Sequence, residues 1–341
     1  MTTNQAAWLD GKDQKLRISE AEMPKPGSDE IVIKNSAIAV NPVDWKIQDS
    51  GAFIKTWPMI LGCDVAGEVT DVGDGVTRFK KGDRVTGHTI SLLTQDPQDG
   101  AFQLYSRLKA GKTAHLPASI PFTAGAVIPL ALDTAAVGLY SPSSGAKGLG
   151  LPPPSLNPKP SGQTLICWGG SSSVGALVIQ LAVASGAKVI ATSSPHNFDF
   201  CRSAGASEVI DYKSPSVIPD LIAAVQKTGG EFAGVYDTIS LPQDSYAHTL
   251  PLLEKLGGGI LAFVLAPPEN PPSGVKPAHV FGVNEMTHPI WEDYVTPALE
   301  GGKLRCLPPP QVVGKGLGAV QAGLEANKKG VSAKKVVIEL E

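Results

Sequence analysis

The stretch Thr164–Ala184, TLICWGGSSSVGALVIQLAVA, decides the fold. Thr164–Trp168 reads as a buried strand. Glycines and serines then make a turn, and from Val174 the pattern is small and apolar, as a core helix requires. A strand that runs into a glycine-rich turn and opens a helix is the arrangement a dinucleotide site needs. The first-turn amides have no partners within the helix, and its dipole favours the charge of a pyrophosphate. Bare glycines let the ligand approach the backbone. Set against G-x-G-x-x-G, the turn after Gly169 reads Gly170-Ser171-Ser172-Ser173-Val174-Gly175, with serine at the middle glycine. The Ser172 hydroxyl is a candidate phosphate donor. The plainer alternative is an ordinary strand-to-helix turn. Pro160 to Ala187 carries no charge, but the Gly/Ser break leaves no run of the ~20 apolar residues a bilayer helix needs.

Outward from this turn, strand and helix signals alternate. Strands are expected at Lys188–Thr192, Glu208–Ile210, Gly234–Thr238 and Gly259–Leu265, with helices at Asn197–Ala204 and Pro219–Lys227. Such alternation implies an α/β domain with a parallel sheet and right-handed crossovers. An NAD site usually has an acidic residue about 20 residues on, at the end of the second strand. Here that strand runs into Ser193, Ser194, Pro195, His196 and Asn197, with no carboxylate before Asp199. Hydroxyls, His196 and Asn197 suit a 2′-phosphate better than an acid does. Tyr212 and Lys213, after the third strand, are candidates for the same group. The expected cofactor is NADPH. The alternative is that Ser193–Asn197 merely cap the next helix.

Before the turn, the first ~125 residues are β-rich, with short runs such as Glu30–Lys34 set between Pro/Gly turns. A helix is expected over Pro121–Tyr140, followed by a Ser-, Gly- and Pro-rich loop, Ser141–Gly162. After Pro267 come loops, a helix near Trp291–Glu300 and a final strand, Val336–Leu340. The length of 341 residues suits about two domains. Charged residues are only 18% and the net charge is −3, so neither nucleic acid nor an anionic membrane is an expected partner. Cys63, Cys167, Cys201 and Cys306 are scattered, without disulfide-framework or zinc-ribbon spacing. With no signal-peptide pattern over Met1–Lys12, a reduced, cytoplasmic protein is expected.

Several motifs together carry a family resemblance. They are Asn41-Pro42-Val43-Asp44-Trp45-Lys46, Gly62-Cys63-Asp64-Val65-Ala66-Gly67-Glu68-Val69, Gly82-Asp83-Arg84-Val85, Gly100-Ala101-Phe102, Leu132-Asp133-Thr134-Ala135 and the Gly169–Gly175 turn. Over nearly its whole length the chain resembles the medium-chain dehydrogenase/reductase superfamily of alcohol dehydrogenases and quinone oxidoreductases. The WGGSSSVG turn, Ser193–Asp199 and the tail Lys328–Lys335 resemble its fungal enoyl reductase branch, which includes trans-acting partners of polyketide synthases. The resemblance implies a discontinuous GroES-like β-rich catalytic domain, residues 1–125 and 275–341, around a Rossmann NADP(H) domain, residues 126–274. It also implies a small-molecule substrate, an acyl-carrier or synthase partner, and a monomer or homodimer.

Zinc-dependent relatives hold a catalytic metal with a Cys near the first motif and the His of a G-H-E motif. The corresponding positions here are Asn41–Asp44 and Gly62-Cys63-Asp64, and the four-cysteine structural lobe is absent. Zinc needs three or four well-placed ligands, so no metal is expected. That directs the chemistry toward an activated C=C or a quinone, where the nicotinamide supplies hydride and the protein orients and stabilises. The resemblance makes Lys46 a cofactor-side residue and Thr134 a contact to the ribose or nicotinamide. Asn41 and Asp44 are candidates for the carboxamide or for shaping the turn. No tyrosine lies between Asn41 and Gly62, which leaves Tyr105, Tyr140 or water as proton donor. The expectation is thus an NADPH-dependent, zinc-independent enoyl or enone reductase. Alternatives are an NADPH:quinone or carbonyl reductase, and a low-turnover NADPH-binding partner protein.

Overall fold

The computed structural model describes residues 3–340. The chain opens with β1 (Asn4–Leu9), β2 (Arg17–Ala21) and β3 (Glu30–Ala39). Next come α1 (Pro42–Ser50), β4 (Met59–Ile60), β5 (Asp64–Val72), β6 (Arg84–His88), α2 (Ser91–Thr94), β7 (Tyr105–Lys109), β8 (Thr113–His115) and α3 (Phe122–Gly125). α4 (Pro129–Tyr140) leads to β9 (Gln163–Trp168), α5 (Ser173–Ala184), β10 (Lys188–Ser193), α6 (Phe198–Ala204) and β11 (Glu208–Asp211). α7 (Val217–Thr228), β12 (Glu231–Asp237), α8 (Ala247–Lys255), β13 (Gly259–Phe263) and β14 (Val275–His279) follow. The chain closes with α9 (Thr296–Glu300), β15 (Pro310–Lys315), α10 (Val320–Lys329) and β16 (Lys335–Glu339).

Two units result: residues 1–130 with 291–341, and residues 131–290. The first unit is discontinuous, drawing on residues from both ends of the described chain. The second unit runs past 275 because β14 is a sixth parallel strand, paired with β13 from Gly259↔Val275 to Phe263↔His279.

The first unit holds a sheet ordered β15-β16-β3-β5-β6-β8, with β7 also on β3, and a smaller sheet β2-β1-β4. β16 pairs antiparallel with β3 through Val337↔Ala39 and Ile338↔Ile38. The end of the chain is therefore built into a sheet begun by its first forty residues. Ile31, Ile33, Ile38, Val65, Val85, Val336 and Ile338 share one buried core. Full burial of each such side chain contributes about 1.5–3 kcal/mol.

The second unit is a sheet ordered β11-β10-β9-β12-β13-β14, all parallel. β9 and β10 are buried over nearly their whole length, which explains their unbroken apolar runs. α5 is likewise buried from Gly175 to Ala182, as a helix apolar on all sides must be. The loop Ser141–Gly162 is pinned to this unit. Leu149 and Leu151 are buried, and the Leu149 and Leu151 amides donate to the Gly138 and Leu139 carbonyls at 2.8 and 2.9 Å. The expected helix over Pro121–Tyr140 is interrupted between α3 and α4. A proline disfavours helical geometry in the residue before it, and Pro129 opens the second helix.

Candidate active site

In the second unit, β9 ends at Trp168 and the backbone turns at Gly169, which has φ +84. A side chain there would bring its Cβ within 2.6 Å of Thr238 Oγ1. At Gly175 a Cβ would lie 2.3 Å from the Gly169 carbonyl oxygen. Both glycines are thus required for the strand to pass directly into α5. Ser172 caps that helix: the Gly175 amide donates to its Oγ at 3.0 Å. Thr238 Oγ1 donates to the Trp168 carbonyl at 2.8 Å, so its 3.0 Å contact with Ser172 is one in which Ser172 supplies the proton. The Ser172 hydroxyl thus bonds within the turn. The amides of Ser173 and Val174 lie in the first turn of α5, where no carbonyl of the same helix can reach them. A helix N-terminus edged by bare glycine backbone fits a pyrophosphate.

At the end of β10, Ser193 is buried and Ser194 half-buried, His196 is exposed and Asn197 buried. Asp199 is 97% exposed and paired with Arg202 at 3.0 Å. Asp211 stands opposite Ser193 in the sheet, and its carboxylate accepts the Lys213 amide at 3.0 Å. Ser194 Oγ donates to the Tyr212 hydroxyl at 3.4 Å. The structure therefore brings together Ser193, Ser194 and Tyr212 from two strand ends. Tyr212 and Lys213 also border an open hollow of about 670 Å³ that Gln243 and His248 help line. Thr134 belongs to this unit too. Its carbonyl accepts the buried Tyr236 hydroxyl at 2.6 Å, and a Cβ on Gly282 would come within 2.8 Å of its Oγ1. Tyr140 donates to the Leu181 carbonyl at 3.1 Å, so its proton is held within the fold.

The first unit contains the other candidates. Asn41 caps α1 and Pro42 starts it; Gly51, at φ 73, ends it. The Asp44 carboxylate reaches back to the Asn41 amide at 2.8 Å. Asp44 is buried, and burial, reinforced by the neighbouring Asp64 charge, pushes its carboxyl up to about 7. Asn41 Nδ2 donates to Asp64 Oδ2 at 2.8 Å, and the Leu130 amide donates to Asp64 Oδ1 at 2.7 Å. Into this group comes Lys335, from the first residue of β16. Its Nζ lies 2.8 Å from Asp64 Oδ2 and also donates to Asn41 Oδ1. Both charged side chains are almost wholly buried, at 2% and 0% exposed. Sequence reasoning missed Lys335 and the part Asp64 plays. The available signal was a lone acid inside the apolar Cys63–Ala66 run and a lysine abutting Val336–Ile338.

Lys46, two residues beyond Asp44 in α1, is half-buried, with Nζ 5.6 Å from the Trp45 ring centre. Burial lowers its ammonium pKa. The Cys63 thiol is buried and held well above its ordinary range by burial and by both carboxylates. It packs as a small core residue, in surroundings that disfavour the thiolate. Among the described residues, no three His, Cys, Asp or Glu side chains are grouped to hold a metal.

Residues 27–118 match the alcohol dehydrogenase GroES-like domain, and residues 173–283 match the zinc-binding dehydrogenase family. Dehydrogenase orsE of Emericella nidulans is 50% identical over the full length of both chains. The chain belongs to the medium-chain dehydrogenase/reductase superfamily. Among its relatives is trans-enoyl reductase himH of Aspergillus japonicus, 42% identical, with 99% of this chain and 97% of that protein aligned. The CurK enoyl reductase structure shares the fold at TM-score 0.74 and 19% identity, covering 99% of each chain. This medium-chain dehydrogenase/reductase is therefore enoyl-reductase-like, with a glycine turn fit for a nicotinamide dinucleotide. The residues do not fit the zinc that the family description implies. An ammonium already occupies the oxygens of Asn41 and Asp64, and a buried Cys63 stands where zinc relatives have histidine.

Proposed function

We propose that the chain is an NADPH-dependent reductase that adds hydride to an activated C=C, in an enone or enoyl thioester, without a metal. The observation that carries this reading is the donor set around Asn41 and Asp64, whose oxygens are taken by the Lys335 ammonium. Alkoxide chemistry ordinarily needs a Lewis acid or a strong base. Conjugate reduction needs only an oriented acceptor, a donor for the enolate oxygen and a proton for the α-carbon.

A bound nicotinamide dinucleotide supplies the hydride. The Ser173 and Val174 amides hold the pyrophosphate at the start of α5. Ser193, Ser194, His196, Asn197 and Tyr212 receive the 2′-phosphate at a strand end whose own residues carry no carboxylate, the Asp211 carboxylate of the neighbouring strand accepting the Lys213 amide. Support for a phosphorylated cofactor also comes from a mycobacterial relative in fold, solved in complex with NADPH, at TM-score 0.70 and 23% identity over 98% of this chain and 99% of that one. Lys46 binds the nicotinamide ribose, and Thr134 makes a second cofactor contact. Asn41 and Asp44 fix the start of the helix that carries Lys46.

The test is NADPH consumption against an enoyl thioester, a small enone, a quinone and an aldehyde. Turnover of the C=C acceptors above the others is expected. Turnover confined to quinones or aldehydes would move the assignment to the quinone or carbonyl reductase alternative. No turnover with any acceptor, despite NADPH binding, would leave a cofactor-binding partner protein.

A further inference from the structure

We propose that Lys335 is a positioning residue: its ammonium is a fixed internal cation that gathers Asn41 and Asp64 and so sets where α1 begins. Its effect on activity rests on the reading of Lys46 as a cofactor contact; its effect on α1 does not.

Packing alone does not require this charge. A buried ion pair is often replaced by apolar side chains of similar volume with no loss of stability. Lysine and aspartate are seldom fully buried unless paired. What the ammonium adds is orientation. Asn41 Oδ1 accepts from Lys335 Nζ while Asn41 Nδ2 donates to Asp64 Oδ2. The reversed amide would put an NH2 against an ammonium and a carbonyl against a carboxylate. Only one rotamer of the side chain therefore suits this pair of charges. Asn41 is the residue that precedes α1, and its backbone N–H donates to the Asp44 carboxylate in the first turn.

The backbone reinforces the link. The Val40 amide donates to the Val336 carbonyl at 2.9 Å, so the residue after Lys335 is bonded to the residue before Asn41. Further along, Trp45 Nε1 donates to Asn327 Oδ1 at 3.0 Å and Lys328 pairs with Asp49 at 2.8 Å. α10 and β16 together grip α1, and Lys335 is the one charge of that grip that is buried. The oxygens of Asn41 and Asp64 call for a cation, and the chain supplies its own.

The deciding variant is the double substitution Lys335→Met with Asp64→Asn. It removes both charges, keeps an acceptor for the Leu130 amide and lets the Asn41 amide take either orientation. Hydrogen exchange of the α1 peptide, melting temperature and NADPH-dependent turnover are compared with wild type. A melting temperature near wild type, with exchange in the first turn of α1 at least ~10-fold faster, is expected. Turnover should fall at least ~10-fold as well. Wild-type exchange would overturn the proposal. Faster exchange with unchanged turnover would keep Lys335 as a positioning residue and remove α1 from the proposed active site. Should the double variant not fold, Lys335→Ala is refolded with ethylammonium or with ethanol. Recovery only with ethylammonium supports a cation requirement; equal recovery, or none, overturns it.

Discussion

Lys335 Nζ and Asp64 Oδ2 are 2.8 Å apart in an interior that leaves neither side chain more than 2% exposed. Breaking such a pair from one side strands the other charge. Asp64→Ala should lower unfolding stability by about 3–5 kcal/mol, since Lys335 loses its counter-ion and the Leu130 amide its acceptor. Chemical denaturation at neutral pH measures this. A loss below about 1 kcal/mol would mean that water reaches the ammonium.

Asp44 gives the fold a pH dependence. Its folded carboxyl titrates at about 7 against an ordinary value of 3.8, with burial the main cause. Between these values the folded state holds a proton that the unfolded state has released. Stability from this group is therefore full below about pH 4 and falls until pH passes about 7. Asp44→Asn keeps an acceptor for the Asn41 amide and removes the titration. The variant should gain on wild type from pH 5 to pH 8, by up to a few kcal/mol on the order of 1.4 per pH unit. Parallel melting curves across that range would contradict it.

At the glycine turn, Gly175→Ala drives a Cβ to within 2.3 Å of the Gly169 carbonyl. A backbone shift follows, costing about 1–3 kcal/mol of stability. NADPH affinity, read by tryptophan fluorescence, should drop at least ~10-fold, equivalent to ~1.4 kcal/mol.

Cofactor choice should turn on the end of β10. Ser194→Asp adds a carboxylate at the β10 end, within reach of the Tyr212 hydroxyl that Ser194 now contacts. The ratio of NADPH to NADH affinity should fall at least ~10-fold through repulsion of the 2′-phosphate. An unchanged ratio would locate that phosphate elsewhere.

Lys46→Ala should separate function from folding. The side chain is half-buried, with its ammonium 5.6 Å from the Trp45 ring centre. Such a contact contributes at most about 1 kcal/mol, so melting should shift by no more than about 3 °C. Turnover or NADPH affinity should fall at least ~10-fold. Wild-type kinetics would remove Lys46 from the site.

The parts of the fold read correctly from sequence were those written in local pattern. β9, the turn and α5 follow from an apolar run, glycines and serines within twenty-one residues. β14 was missed because VKPAH carries Lys276 and Pro277, which argue against a central strand. It is the edge strand of its sheet, where a missing amide is tolerated. The site divides in the same way. Asn41, Asp44 and Lys46 share one motif and one helix. Lys335 joins them only through the pairing of β16 with β3, a contact between opposite ends of the chain that no local pattern encodes.

The return of β16 to β3 also sets an order of events during synthesis. The second unit is complete once residue 290 has left the ribosome, and it can close its own parallel sheet. The first unit, although its strands are made earlier, must wait with the Ala37–Ala39 end of β3 unpaired on one side and Asp64 without its Lys335 counter-ion until that lysine emerges. The domain made first is the one finished last, and a nascent chain stalled between residue 290 and that lysine has a complete second unit while the first still has an open sheet edge.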